Sequence, residues 1–273
     1  MENLKYRYPA MKQLALDEIS FEVEEGEKIG VIGRNSSGKS TLCQALVGLT
    51  PHFYKGTYGG RVIVDGLEIK HATVSEAALK VGIVFQNPFT QVTGAKLTVY
   101  EEVAFGLENM GLSRAEMIEK VDRALHLLNI YPFRNQNPFS LSGGQMQRMA
   151  IAGIIAMRPS IIVLDEPTSQ LDPQGTEEVF SAMDELSAEG MTVVIVEHKM
   201  EKVAQYCDKI LVMKDGKRAA FDTPAKVFSR DDLSELGVCA PVYTNICKAL
   251  GKKEGAYYPV TLAGAARVLG ARR

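Results

Sequence analysis

Short apolar runs of strand length punctuate the chain at residues 19–23, 28–32, 61–64, 81–85, 161–164, 192–196 and 209–213. Several are separated by stretches with helical spacing, and this alternation predicts an α/β fold with a largely parallel core sheet. The run 161–164 is apolar at every position, as suits a central strand covered on both faces. The early strands read as antiparallel. Turn signals at Glu25-Gly26, Asp65-Gly66 and Asp215-Gly216 predict hairpins at the start and near the end of the sheet.

Between residues 98 and 158 the pattern becomes helical, with helices expected over 98–109, 113–129 and 142–157. This middle reads as a helical subdomain inserted into the sheet domain. After Ser229 the character changes again. Gly237, Pro241, Gly251 and Gly255 interrupt the tail, which ends in a small-residue stretch, 262–273, and predicts short helices joined by loops. The expected division is therefore a principal domain over 1–228, with the insert inside it, and an extension over 229–273. No fixed-period repeat or low-complexity tract is visible.

A length of 273 residues allows one or two domains and a sizeable interior, and the 46% apolar and 23% charged content is that of a globular protein. Thirty-one basic residues against thirty-three acidic ones leave a net charge of -2, so no overall field draws in nucleic acid or anionic lipid, and no nucleic-acid partner is expected. Cys43, Cys207, Cys239 and Cys247 are scattered singly, without zinc-ribbon or disulfide-framework spacing, which points to a reducing cytosol. The N-terminus shows no basic stub followed by an apolar run, and no uncharged apolar stretch reaches the roughly 20 residues of a membrane span, so neither a secretion signal nor a bilayer crossing is expected.

The first candidate chemistry is Gly33-Arg34-Asn35-Ser36-Ser37-Gly38-Lys39-Ser40, which satisfies G-x-x-x-x-G-K-[ST] directly after an apolar strand and before the helix-favouring run beginning at Thr41. Such a loop wraps backbone N–H donors around phosphate oxygens, and the following helix points its free N–H groups and positive dipole end at the same anion. Lys39 would reach the β- and γ-phosphates and Ser40 would bind Mg²⁺. A second element, Ile161-Ile162-Val163-Leu164-Asp165-Glu166, ends a buried strand in two carboxylates, at the sheet edge where α/β folds bind ligands. Asp165 would hold Mg²⁺ through its water, and Glu166 could polarise the water that attacks the γ-phosphate.

Leu141-Ser142-Gly143-Gly144-Gln145 separates this chain from other phosphate-loop enzymes. With it, the chain resembles the ATP-binding subunit of ATP-binding cassette (ABC) transporters over about residues 6–228. That resemblance implies a P-loop NTPase core with a mostly parallel sheet, an antiparallel β portion, an inserted helical subdomain and a short helical extension. It identifies 33–40 as Walker A, 161–166 as Walker B, Gln86 as the Q-loop glutamine, Ser169-Gln170-Leu171-Asp172 as the D-loop and His198 as the switch histidine. Tyr8 sits where the family stacks an aromatic on adenine. Gln86 is implied at both the metal and the catalytic centre, and His198 at the γ-phosphate. Ser142 to Gln145 opens a second helix whose start suits an anion. One nucleotide has one γ-phosphate, so the second helix start fits the nucleotide of a partner, as in the family's head-to-tail dimer.

More narrowly, Gln86-Asn87-Pro88 with Gln91, residues 98–109, and the stretch 216–228 look like the ATPases of energy-coupling factor (ECF) vitamin and metal importers. This implies ATP and Mg²⁺ as cofactors, a second ATPase subunit (identical or homologous), a transmembrane coupling subunit, a substrate-binding membrane subunit, and residence at the cytoplasmic face of the membrane. The alternatives are an ABC transporter ATPase outside the ECF group, or a soluble ABC ATPase acting on nucleic acid or ribosomes. Two positions depart from the family pattern. Ser36 stands where Gly is common, in a loop where a positive backbone angle is costly for a residue with a Cβ, and Gln170 stands where a small residue is usual. Both are expected to be tolerated.

Overall fold

The computed structural model describes residues 1–270; the last three residues of the expected 262–273 stretch lie outside the described residues. The chain begins with strands β1 (Glu2–Arg7), β2 (Leu16–Ile19) and β3 (Lys28–Gly33), then helix α1 (Lys39–Leu46) and a short α2 (Leu49–His52). Strands β4 (Thr57–Arg61), β5 (Ile63–Val64) and β6 (Leu67–Glu68) lead to α3 (Val74–Lys80) and β7 (Val81–Val84). Three helices follow, α4 (Val99–Asn109), α5 (Arg114–Leu127) and α6 (Gly143–Met157), before β8 (Ile161–Asp165), α7 (Pro173–Ala188), β9 (Thr192–Val196) and α8 (Met200–Tyr206). The chain continues through β10 (Lys209–Lys214), β11 (Lys217–Asp222), α9 (Pro224–Phe228), α10 (Val242–Ala249) and α11 (Leu262–Leu269).

The core sheet runs β11-β10-β3-β9-β8-β7, parallel throughout except for the edge pair β10-β11. Its inner strands β10, β3, β9 and β8 read as apolar runs because each buries both faces, whereas edge strand β11 is exposed or half-buried throughout. Ile162, Leu164, Val193 and Ile195 join the cluster that packs α4 to α9, whereas Val163, Val194 and Val196 join the cluster beneath α1 and the N-terminal strands. The alternation of side chains across the sheet thus divides one run of sequence between two cores. Helices α3 to α6 each open with a capping box, Thr73/Glu76, Thr98/Glu101, Ser113/Glu116 and Ser142/Gln145, which satisfies two of the free N–H groups at each start.

Helices α4 to α6 lie between β7 and β8 in the chain, and α6 packs on α4, α5 and β7, close to the expected 98–109, 113–129 and 142–157. The Asp65-Gly66 and Asp215-Gly216 turns close the hairpins β5-β6 and β10-β11, as predicted. The tail forms two short helices with loops between them. Among the described residues, no helix is long and apolar enough to cross a membrane.

Four expectations are corrected. The antiparallel strands form a separate sheet, β2-β1-β4, rather than the start of the core sheet. The strand expected at 19–23 lies earlier, at Leu16–Ile19, where a register shift against β1 includes the left-handed Glu18 (φ 57°), and the following residues cross between sheets. Glu25-Gly26 is accordingly a turn between sheets, not a hairpin, and the strand expected at 61–64 breaks at Val62 into β4 and β5. The first strand, β1, escaped the list of apolar runs because only Leu4 and Tyr6 of its six residues are buried.

Leu164, fully buried one residue before Asp165, is expected to be essential to this core. Leu164→Ala should lower unfolding free energy by about 2–5 kcal/mol, read from the urea midpoint at unchanged slope.

Candidate active site

β3 ends at Gly33, whose φ of 148° and lack of a Cβ let it pass the Met213 carbonyl of the neighbouring strand. The loop closes at Gly38 (φ 102°), the N-cap of α1, where a Cβ would strike the Ala15 carbonyl. Between them Ser36 is left-handed at φ 63°, the conformation that makes Gly the easier residue. Lys39 is buried and folds back, its Nζ donating to the carbonyls of Gly33 and Arg34 at 2.9 Å each. Burial lowers the Lys39 pKa, against the opposing pull of the Glu166 and Asp165 carboxylates.

Asp165 arrives at the end of β8, 8% exposed, and its Oδ1 has no hydrogen-bond partner. Burial raises its pKa; the Ser40 hydroxyl works against the rise, nearby Glu166 adds to it, and Lys39 and His198 oppose it. Glu166 follows in a left-handed conformation (φ 51°), its N–H bonded to the Val196 carbonyl at 3.0 Å, so its side chain diverges from that of Asp165. Gln86 Nε2 donates to Glu166 Oε2 at 2.6 Å, and His198 Nε2 lies 2.9 Å from Glu166 Oε1. An ionised carboxylate only accepts, so His198 carries its proton on Nε2 in this contact.

A cleft of about 920 Å³ opens over the loop. Of the residues named from sequence, its wall includes Tyr8, Asn35, Ser36, Gly38, Lys39, Ser40, Thr41, Gln86, Glu166 and His198. Gly33, Ser37 and Asp165 are buried and are not on the wall, and Arg34 turns aside, its stem crossing Gly237 of the tail. Tyr8 donates to Gln44 Oε1 at 2.8 Å and lies 3.1 Å from the Thr41 hydroxyl, which fixes its ring at the rim. Residues 11–15 form the rest of that rim and were not named from sequence. Met11 and Leu14 in it are apolar yet exposed in the fold, which a sequence pattern does not reveal.

The chain matches the family model described as ABC transporter over residues 16–169. It is 42% identical over 255 residues to a putative ABC transporter ATP-binding protein of Pyrococcus horikoshii, covering 93% of this chain and 89% of that protein. It is 44% identical, with the same coverages, to the energy-coupling factor transporter ATP-binding protein EcfA1 of Lacticaseibacillus paracasei. The chain belongs to the ABC transporter ATP-binding family. Its fold is that of the solved CbiO1 of Clostridium perfringens, part of the ABC transporter complex CbiONQ, with TM-score 0.74, 34% identity and coverage of 86% and 91%. A bacterial ABC transporter cassette solved as a dimer after hydrolysis, bound to ADP and Pi, gives TM-score 0.72 at 29% identity, covering 82% and 97%. The protein is thus an ABC ATPase, the ATP-binding subunit of an ABC transporter, in a family that binds ATP.

One expected group is not on the cleft wall of this ABC cassette. Ser142 caps α6, its Oγ accepting from Gln145 N–H at 3.3 Å while Gln145 Oε1 accepts from Ser142 N–H at 2.9 Å, and Gly143 and Gly144 form the first turn. None of these four residues lines the cleft over Lys39.

Two substitutions test this geometry. Ser36→Gly should relieve about 1 kcal/mol of left-handed strain, raise the melting temperature by about 2–4 °C and strengthen ATP binding by less than about tenfold. Asp165 has a folded pKa above its unfolded value, so the stability it contributes at low pH is lost as pH rises through the folded pKa, and its charge is a cost at pH 7. Asp165→Asn should therefore raise the ligand-free melting temperature at pH 7 in a thermal scan.

Proposed function

We propose that this chain powers an ECF-type importer by closing on a second ATPase subunit, with each of two ATP molecules held between the Walker A cleft of one subunit and the signature turn of the other. The observation that carries the reading is the division of labour within one chain. The cleft gathers Lys39, Ser40, Gln86, Glu166 and His198, whereas the Ser142 to Gln145 turn, a second helix start whose dipole end suits an anion, is not on its wall. The similarity to EcfA1 proteins supports the ECF assignment.

In this reading the phosphate-loop N–H groups and Lys39 hold the β- and γ-phosphates, Thr41 adds a hydroxyl beside them, and Tyr8 at the rim meets the adenine ring. The unpartnered Oδ1 of Asp165 fits a Mg²⁺ ion or its water, with Ser40 and Gln86 completing the set of oxygen donors. When bound, Mg²⁺ would neutralise charge on the β- and γ-phosphate oxygens. Glu166 takes the proton of the attacking water. His198 and Gln86, which grip Glu166 before nucleotide arrives, hold its carboxylate in place, and His198 carries an N–H donor for the γ-phosphate.

Closure draws its free energy from ATP binding the closed pair better than the open one; shifting a population from mostly open to mostly closed takes about 5.5 kcal/mol of differential binding. Several charge-assisted hydrogen bonds, worth about 1.5–3 kcal/mol each, supply that sum. The movement would pass through the Gln86 region and helices α4 to α6 to a transmembrane coupling subunit that also holds a substrate-binding membrane subunit. The cargo would be a vitamin, metal ion or similar micronutrient, and the chain would lie at the cytoplasmic face of the membrane.

Glu166→Gln should cut steady-state ATP hydrolysis by about 10²–10⁴-fold and accumulate an ATP-bound dimer on size exclusion, whereas a monomer under saturating Mg-ATP would refute the sandwich. Purification of the tagged chain from detergent-solubilised membranes should bring down an integral membrane protein; recovery of ribosomes or nucleic acid instead would refute the transport reading.

A further inference from the structure

β9 is buried along its whole length, and the residue that follows it, Glu197, stays buried as well, at 4% exposure. A carboxylate in that position needs partners. Its Oε2 accepts from the Thr168 hydroxyl at 2.5 Å, and its Oε1 accepts from the backbone N–H groups of His198 and Lys199 at 2.8 and 3.2 Å. Both oxygens are engaged. Lys199, on the other side of His198, reaches the same place: its Nζ donates to the Thr168 carbonyl at 3.3 Å and to the Thr176 hydroxyl of α7 at 2.8 Å.

The two side chains that flank His198 thus converge on Thr168, two residues beyond Glu166. Backbone pairing does not reach so far. Glu166 N–H still bonds the Val196 carbonyl at 3.0 Å, but among the described residues no backbone bond ties 197–199 to the segment after Glu166. The His198 side chain is 44% exposed, and among the described residues its ring makes one hydrogen bond, to Glu166. An imidazole that open takes its place mainly from its own backbone, and Glu197 holds that backbone by the His198 N–H.

We infer that Glu197 is a positioning residue for ATP hydrolysis: by tying the His198 N–H to Thr168, it fixes the span across which His198 Nε2 meets the Glu166 carboxylate. The inference rests on the roles proposed above for His198 and Glu166. Glu197 is buried and does not line the cleft, so it acts through His198 rather than on the nucleotide. A displacement of about 1 Å in such a constellation is enough to cost on the order of 10²-fold in rate.

The test uses the full chain and compares Glu197→Ala and Glu197→Gln, each with His198 present and in a His198→Ala background. Single-turnover hydrolysis of ATP reads the chemical step even in slow variants, and a fluorescent ATP analogue reads binding. With His198 present, Glu197→Ala should slow hydrolysis by about tenfold or more, while binding moves by less than about twofold. Glu197→Gln keeps an oxygen for the two N–H groups and an amide N–H for the Thr168 hydroxyl, and should hold the rate to within about threefold of the parent. In the His198→Ala chain, Glu197→Ala should add less than about twofold, because no imidazole is left to place. A full further loss there overturns the assignment, and so does a parental rate in Glu197→Ala alone or a Glu197→Gln as slow as alanine. Thr168→Val cuts the same tie from its other end and should slow hydrolysis by about threefold or more with His198 present and not without it. If Glu197→Ala fails to fold, this variant decides, and a parental rate in it overturns the assignment. If His198→Ala hydrolyses ATP at the parental rate, the role of His198 falls and takes that of Glu197 with it; if His198→Ala is slow and Glu197→Ala is silent, only Glu197 loses its role.

Discussion

The site depends on holding a buried lysine and two strand-end carboxylates a short distance apart without letting them neutralise one another completely. Lys39 is turned onto the carbonyls of Gly33 and Arg34, Asp165 keeps an unpartnered oxygen, and Glu166 is clasped by Gln86 and His198. Each of these groups is expensive to desolvate and only partly compensated. The arrangement stands because β3 and β8, with β9 between them, are clamped by apolar side chains on both faces, and the strand ends have no freedom to relax. A polyanion with its cation would satisfy at once what the protein leaves open.

The same rigidity explains why the cassette has two functional surfaces. The phosphate loop and the strand-end carboxylates belong to the sheet, whereas the signature turn belongs to α6 in the insert. Joining these bodies are the Arg148–Glu178 pair and the packing of α6 on β7. The tail adds another contact to the loop through Gly237 and Arg34, with Leu236 and Val238 buried on either side of that glycine.

Much of the framework was legible in the residues. Capping boxes at Thr98, Ser113 and Ser142 mark helix starts by local chemistry, and 161–164 announces a strand covered on both faces because apolar density needs no partner to be read. The N-terminal sheet was harder. The bulge of β2 at Glu18 and the break at Val62 are both consequences of long-range register. The rim at residues 11–15 carried no mark at all, since its place comes from the path between β1 and β2 over the phosphate loop.

By itself the sequence determined the elements whose chemistry is local: the glycine-bracketed loop between a strand and a helix, the carboxylates at the end of an apolar run, and the serine-capped start of α6. Only the tertiary structure decided that Gln86, 80 residues from Glu166, and His198, 32 residues from it, both close on that one carboxylate. The reason is physical: local motifs are set by backbone geometry and hydrogen bonding within a few residues, whereas these meetings follow from the order β3-β9-β8-β7, which the burial of both sheet faces selects.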